Sequence, residues 1–391
     1  MDRFDRPPRL AAIDVGTNSM RMIIAEVESP ATYAILDDER AQTRLGAGLY
    51  ETGQINDASF ERSLEALGTM KAIADGNEVD EMRVIATSAI REAENGDEFV
   101  QAARERYGIE VEVISADEEA QLAFRSVLQH FRLDEGPTSI VDSGGGSMEV
   151  VLVAGTVIDD VYSLPLGAVR LTEQYVRSDP VEQDDWKRLR RGIRREIRDH
   201  LGKPNFTTPT MIGSGGTFSA LAAMAQYERY GEVGTTHGYV LSRADLVHLL
   251  DRLKEIPLKQ RKQIGGLNPE RADIILAGAT AVERLAKALG VQRIIVNERG
   301  IRDGVLLEMI GRRFPEEESV PLHENRLDWV RSFGRKCHTN EPHCEQVAML
   351  AGQLFDALQE PVDRKSTRLN SSHGPIADGG VGVEKGGGGG G

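Results

Sequence analysis

Asp142-Ser143-Gly144-Gly145-Gly146-Ser147, read beside its earlier counterpart Asp14-Val15-Gly16-Thr17-Asn18-Ser19, decides the fold of this chain. Each stretch follows a short apolar run, residues 139–141 in one case and 10–13 in the other. Each opens on a carboxylate, passes through glycine and ends on a hydroxyl. Each is followed by a second apolar run, residues 148–153 and 20–27. Strand, tight turn and returning strand make a hairpin whose tip exposes backbone N–H groups. Glycine lets such a tip approach a ligand closely, and clustered N–H groups form an anion site. The aspartate can hold a divalent cation, directly or through water. Two such hairpins imply a duplicated domain closing on a phosphate from both sides.

The flanking sequence repeats one plan. In the first segment, strands are expected at 10–15, 20–27, 32–42, 83–86 and 110–114, with helices at 57–75, 96–107 and 117–129. Pro137 marks a boundary before the second hairpin. Beyond it, strands are expected at 138–142, 148–153, 156–163, 210–212 and 293–296. Helices are expected at 181–201, 218–226, 243–254, 270–289 and from 301 onward. The strand at 210–212 runs into a third glycine turn, Gly213-Ser214-Gly215-Gly216-Thr217. A duplicated strand-strand-strand-helix plan with glycine turns is an α/β architecture of the actin-like (ribonuclease H-like) ATPase class. Two such domains are expected, over 9–136 and 137–314, with a cleft between them. A third, helical segment is expected over 322–362. Residues 363–391 read as an adapter-like stretch ending in six glycines and are not expected to be native.

Bulk composition narrows the function. With 391 residues the chain exceeds one ordinary core. It carries 47 basic and 62 acidic residues, a formal charge of −15, which disfavours a non-specific nucleic-acid binder. An anionic substrate must therefore be met by a local positive site or a metal. No apolar run approaches the ~20 residues of a membrane span, and residues 1–8 lack a signal-peptide core, so a cytoplasmic location without membrane association is expected. Cys337 and Cys344 are the only cysteines, which excludes a disulfide framework. With His338 and His343 they fit no standard zinc spacing.

Three further features bear on chemistry. Ser115-Ala116-Asp117-Glu118-Glu119-Ala120 enters a helix, where acidic residues serve as capping and dipole partners. A glutamate there aimed at the cleft could instead deprotonate a water attacking phosphorus. Thr87-Ser88-Ala89-Ile90-Arg91 follows a strand, and Arg91 could neutralise a phosphate oxygen with paired donors or simply stand exposed at a helix start. Seven cations between Lys187 and Arg198 could form a polyanion track or a solvated helix face.

Eight stretches taken together resemble the exopolyphosphatase / guanosine pentaphosphate phosphohydrolase (Ppx/GppA) family. They are DVGTNSMRM (14–22), TSAIREA (87–93), ISADEEAQLAF (114–124), VDSGGGSMEV (141–150), LPLGAVRL (164–171), GSGGTFSAL (213–221), THGYVLS (236–242) and NERGIRDGVL (297–306). The resemblance runs from about residue 10 to about 312. It implies hydrolysis of a terminal phosphate from inorganic polyphosphate or guanosine pentaphosphate, with Mg²⁺ or Mn²⁺, and a possible homodimer. It implies Glu119 as catalytic base, with Glu118 the fallback, and Asp142 and Glu149 as metal ligands. It places Asp14, Gly16, Thr17, Asn18 and Ser19 in the first phosphate loop and Gly144, Gly145, Gly146 and Ser147 in the second. Gly213, Ser214, Gly215, Gly216 and Thr217 stand beside the second, and Arg91 pins the terminal phosphate. Residues 322–362 resemble the start of the HD-like helical domain of longer members, without the later His-Asp doublet. A non-catalytic sensor of guanosine tetraphosphate and a kinase of the same superfamily remain open at this point.

Asp142 and Glu149 stand on opposite arms of one hairpin. They can share a cation only if the strand register puts them on the same side.

Overall fold

A computed structural model describes residues 6–133, 136–202 and 207–314, and further on residues 343, 346, 347 and 349–351. Met1–Arg326 forms one compact unit and Leu327–Gly391 a second. In the second unit the six described positions are helical and exposed. The rest of the expected HD-like segment, Cys337, His338 and Cys344, and the tail 363–391 lie outside the described residues.

The first lobe runs β1 (Arg9–Val15), β2 (Met20–Ser29), β3 (Thr32–Ala41), α1 (Leu49–Thr52), α2 (Asp57–Gly76), β4 (Glu81–Ala86), α3 (Ser88–Glu92), α4 (Gly96–Tyr107), β5 (Val111–Val113) and α5 (Ala116–His130). The second runs β6 (Pro137–Ser143), β7 (Met148–Ala154), β8 (Val157–Leu164), α6 (Ala168–Tyr175), α7 (Gln183–Leu201), β9 (Thr210–Ser214), α8 (Gly216–Tyr230), β10 (Val240–Ser242), α9 (Arg243–Glu255), α10 (Leu258–Arg261), α11 (Ile275–Leu289), β11 (Arg293–Asn297) and α12 (Gly300–Arg313). The first sheet has the order β3-β2-β1-β4-β5 and the second β10-β11-β9-β6-β7-β8. In each, a three-stranded antiparallel meander meets parallel strands, β1 beside β4 and β6 beside β9. The order β3-β2-β1-β4-β5 is matched by β8-β7-β6-β9-β11, so the duplicated plan read from the hairpins is present in five strands of each sheet, and β10 is an additional antiparallel edge strand that was not expected.

Alternation along β1 places Ala11, Ile13 and Val15 on one face, against Leu64 and Leu67 of α2 and Phe99 of α4. Leu10 and Ala12 face the other way, onto Val305, Met309 and Ile310 of α12 and Leu122 of α5. The opposite side of α5 meets the second sheet: Phe124 and Val127 pack on Ile140, Val151 and Ile212. Helices α7, α8, α9 and α11 cover that sheet's remaining face. So α5 and α12 lie between the sheets, and α12, late in sequence, lies on the first. This sandwich carries the N-terminus of α5 to the strand ends where both hairpins turn.

Some expected elements differ in detail. The helix expected over 270–289 starts at Ile275, because Asn268 caps a short 3₁₀ turn, Pro269–Arg271, first. Helix α6 was not expected, since eight residues after Pro165 give too little periodicity to read. Helix α7 buries Leu189, Ile193, Ile197 and Leu201 and leaves Lys187, Arg188, Arg191, Arg194, Arg195 and Arg198 exposed. Lys187, Arg188, Arg195 and Arg198 meet acids of their own helix. No helix among the described residues is long and apolar enough to cross a membrane.

Candidate active site

The two hairpin tips face each other across one cavity. It is lined by Asp14, Gly16, Thr17, Asn18, Ser19 and Arg21 from the first and Asp142 through Ser147 from the second. Thr87, Ser88, Glu119, Gly215, Gly216, Arg271, Glu298, Arg299, Gly300, Ile301 and Arg302 complete the wall.

Backbone hydrogen bonding turns both tips into donor surfaces. The second loop's carbonyls are tied back by the start of α6: Ala168 N–H donates to Gly144 O at 3.1 Å and Val169 N–H to Gly145 O at 2.9 Å. In the first loop, Gly46 N–H takes Thr17 O at 2.9 Å and Arg44 N–H takes Asn18 O at 3.0 Å. The N–H groups of Gly16 through Ser19 and of Gly145, Gly146 and Ser147 have no protein acceptor among the described residues. Unpaired donors gathered on two facing turns suit a phosphate group.

The tips also touch. A Cβ on Gly145 would lie 2.8 Å from Thr17 Cβ and 3.0 Å from its Cγ2, so only glycine lets the second loop meet the first. Gly145→Ala is expected to wedge the loops apart. Phosphate release should fall at least about tenfold while the melting temperature moves by only roughly 2–4 °C. Steady-state kinetics with thermal melts checks this, and unchanged kinetics would show that the contact is unnecessary.

The carboxylates meet beneath the second loop. β6 and β7 pair Asp142 directly opposite Glu149, so both side chains leave the sheet on one face. The register condition set by the sequence is thereby met. Glu119, from the first turn of α5, joins them, and one oxygen of each lies within 4.8 Å of the others. Ser163 Oγ donates to Glu149 Oε1 at 3.2 Å, while Glu149 Oε2 and Asp14 Oδ1 are buried without a partner. Three clustered buried carboxylates, with unpartnered oxygens on Glu149 and on nearby Asp14, fit a hard divalent cation, whose ligands are oxygens.

Without that charge the cluster resists ionisation. Burial, then the neighbouring Asp142 charge, pushes Glu149 up to about 7 and Asp14 likewise to about 7. Glu119 is raised well above the usual carboxylate range by burial and by Glu149, and Arg91 opposes the shift. Asp142 is raised by burial, and a hydrogen bond from Ser214 holds it down.

A folded pKa above the unfolded one means that the native state keeps protons the unfolded chain has lost, so stability falls as pH rises through the window. Ordinary values of 3.8 and 4.5 against folded values of about 7 place that window between about pH 4 and 7. Metal-free protein should melt higher at pH 5.5 than at pH 8, and added Mg²⁺ should raise the melting temperature more at pH 8. Glu149→Gln should shrink the pH dependence. A pH dependence of the same size in that variant would assign the effect to overall charge.

Several expected residues stand elsewhere. Arg91 does not line the cavity. Its Nη1 donates to Ile114 O at 2.8 Å and to Glu119 Oε2 at 3.2 Å, so it braces the glutamate. Glu118 closes a capping box with Ser115 and faces outward, which leaves Glu119 as the glutamate of that pair in the cluster. Of the third glycine turn only Gly215 and Gly216 reach the cavity. Gly213 is covered by the Phe218 ring, Ser214 supports Asp142 from behind, and Thr217 is buried against Gly278. Gly215 has φ 97°, and a Cβ there would meet Ser143 O at 2.3 Å, so the turn serves close packing on the second loop.

Four arginines of the wall were not singled out. Arg302 donates to Met22 O at 2.9 Å and pairs with Asp38. Burial and the nearby charges of Arg40 and Arg21 lower Arg271 to about 9, and burial with Arg302 and Arg40 lowers Arg21. Crowded, desolvated guanidinium groups of one sign favour an anion between them. Arg21, Arg299 and Arg302 sit in stretches quoted for the family resemblance. Arg271 lies in none, and only the tertiary fold brings it over Gly216.

Comparison with known proteins gives the family. The model of the Ppx/GppA phosphatase family matches residues 23–313. Exopolyphosphatase 2 of Mycobacterium tuberculosis is 34% identical over 316 residues, 78% of this chain and 99% of that protein. Among solved structures, the Aquifex aeolicus member of the Ppx/GppA family is 32% identical with a TM-score of 0.65, covering 78% of this chain and 98% of its own. An exopolyphosphatase from Cytophaga hutchinsonii is 26% identical with a TM-score of 0.72 over the same shares. The chain belongs to the Ppx/GppA phosphatase family and is an enzyme of the phosphoanhydride-hydrolase class.

Proposed function

We propose that the protein is an exopolyphosphatase that removes the terminal phosphate of inorganic polyphosphate with Mg²⁺ and water. One observation carries the choice of substrate. The cavity wall holds four arginines and two donor loops but no aromatic ring, and Ile301 is its one apolar side chain other than glycine among the described residues. Pockets for organic ligands are mostly apolar, and a base wants a ring to stack on. A wall of this kind suits a chain of phosphates better than a guanosine.

In this reading the terminal phosphoryl group lies against the free N–H groups of the Gly16–Ser19 and Gly145–Ser147 turns. Asp142 and Glu149 would hold Mg²⁺, which when bound polarises the phosphoryl oxygens and offsets their charge. Glu119 orients a water in line with the leaving oxygen and accepts its proton. A raised pKa makes it a better acceptor near neutral pH. Arg91 fixes the glutamate's rotamer, and the wall arginines hold the rest of the chain. The residual phosphates leave as an anion that needs no protonation, so positioning and electrostatics suffice.

Phosphate release from long polyphosphate, tripolyphosphate and guanosine pentaphosphate, each with Mg²⁺, tests the proposal. kcat/KM should be highest for a polyphosphate. Preference for guanosine pentaphosphate would make the nucleotide the substrate, and binding without release from any of them would indicate a sensor.

A further inference from the structure

The carbonyl of Gly146 is held differently from its neighbours in the second loop. Gly144 O and Gly145 O are taken by main-chain donors of α6, whereas Gly146 O receives Gly167 N–H at 3.3 Å and the Arg170 Nε–H at 2.7 Å. The same guanidinium crosses to the first lobe. Its Nη2 donates to Glu92 Oε2 at 2.5 Å, and its carbon lies 4.0 Å from the centre of the Tyr50 ring. The other Glu92 oxygen accepts from Ser88 Oγ at 2.8 Å. Ser88 and Gly146 both line the cavity, and Arg170 does not. Ser88, Glu92, Arg170 and Gly146 thus form one chain of hydrogen bonds. It runs from the wall supplied by the first lobe to the wall supplied by the second.

We propose that Arg170 is a positioning residue that makes the anion-binding shape of the Gly144–Ser147 loop depend on closure of the two lobes. The inference rests on the phosphate-hydrolysing reading of the cavity. A carbonyl swung into the cavity would repel a phosphate as strongly as an N–H attracts it. The peptide after Gly146 has glycine on its N-terminal side, so rotation there is cheap unless the oxygen is pinned. Arg170 pins it. Arg170 is in turn pinned by a carboxylate and a ring that belong to the other lobe. When the lobes part, the guanidinium loses both, and the carbonyl loses its strongest donor. The loop then grips phosphate when the cleft is shut and loosens as product leaves. Only an arginine serves three partners at once, since a lysine ammonium has no planar fork to span carbonyl, carboxylate and ring.

The test uses the full chain, with Arg170→Lys, Glu92→Gln and the double variant. Two measurements are made: tripolyphosphate hydrolysis with Mg²⁺, and amide hydrogen exchange in ligand-free protein. In Arg170→Lys, KM should rise at least about tenfold while kcat stays within about threefold, because the loop grips ground state and transition state alike. Amides of residues 144–147 should exchange at least about tenfold faster. Glu92→Gln should move both readouts in the same direction, and the double variant should be no worse than Arg170→Lys, as expected for two links of one chain. The Glu92 side chain is 39% exposed, so that variant carries the test even if Arg170→Lys folds poorly. Unchanged KM and unchanged exchange, or effects of the two substitutions that multiply, would overturn the proposal. Wild-type protein that releases no phosphate would overturn the functional reading instead, and the exchange data would still decide the role of Arg170.

Discussion

Glu119→Gln is expected to lower kcat by about a thousandfold while KM changes by no more than about threefold. The substitution keeps the size of the side chain and one oxygen acceptor for Arg91, so the brace at 3.2 Å can persist. What it removes is the proton acceptor. General-base assistance is worth roughly a hundred- to ten-thousandfold, and Glu119 is the carboxylate proposed to supply it. Glu118 is committed to the cap of α5, and Asp142 and Glu149 are the proposed metal ligands. The loops that would bind the phosphate are untouched, which is why KM should hold. Steady-state kinetics on tripolyphosphate checks it, and near-normal turnover would remove Glu119 as the base.

The second large effect is expected from the metal pair and has two opposite signs. Asp142→Asn or Glu149→Gln should cut turnover at saturating Mg²⁺ by roughly a hundredfold or more and move the Mg²⁺ midpoint upward by at least about tenfold. The same substitutions should raise the melting temperature of the metal-free protein. Asp142 and Glu149 are directly cross-strand and both raised by burial, and the Asp142 charge further disfavours that of Glu149. Making one neutral relieves that conflict and leaves an amide that can still accept a hydrogen bond. Function held at the expense of stability is the usual pattern of a strained catalytic cluster. Kinetics across a Mg²⁺ series and melts with and without metal measure both. A variant that loses stability without losing metal dependence would place the ion elsewhere.

Much of this was legible in the sequence, for local reasons. A hairpin writes itself as apolar run, glycine turn, apolar run, while the sequence makes the pairing of Asp142 with Glu149 conditional on the register, a condition that β6 and β7 meet. Glu119 comes from the family resemblance; read locally, the acidic helix start leaves capping and catalysis open, and the capping box of Ser115 with Glu118 separates the two glutamates. The readings that changed depend on long-range placement. Arg91 has the chemistry to hold a phosphate, but α3, which carries it, sets its guanidinium against Glu119. Gly213, Ser214 and Thr217 look like a third loop, yet the strand extends through Ser214, so the chain turns into α8 only at Gly215 and Gly216. Arg271 has no local signature at all, because it approaches the site through the fold and not along a motif. Arg170 was likewise read only as part of a family stretch. Its importance appears when Glu92 and Tyr50, far away in sequence, are seen beside it.

The most direct single measurement is diffraction from crystals of the Glu119→Gln protein grown with Mn²⁺ and tripolyphosphate, recorded at a wavelength where manganese scatters anomalously. The expected map has a manganese peak between the Asp142 and Glu149 carboxylates. It has a terminal phosphate against the N–H groups of Gly16–Ser19 and Gly145–Ser147, and position 119 within a water's reach of phosphorus. Manganese bound away from these carboxylates, or a phosphate chain anchored outside the two turns, would contradict the proposed chemistry at its root.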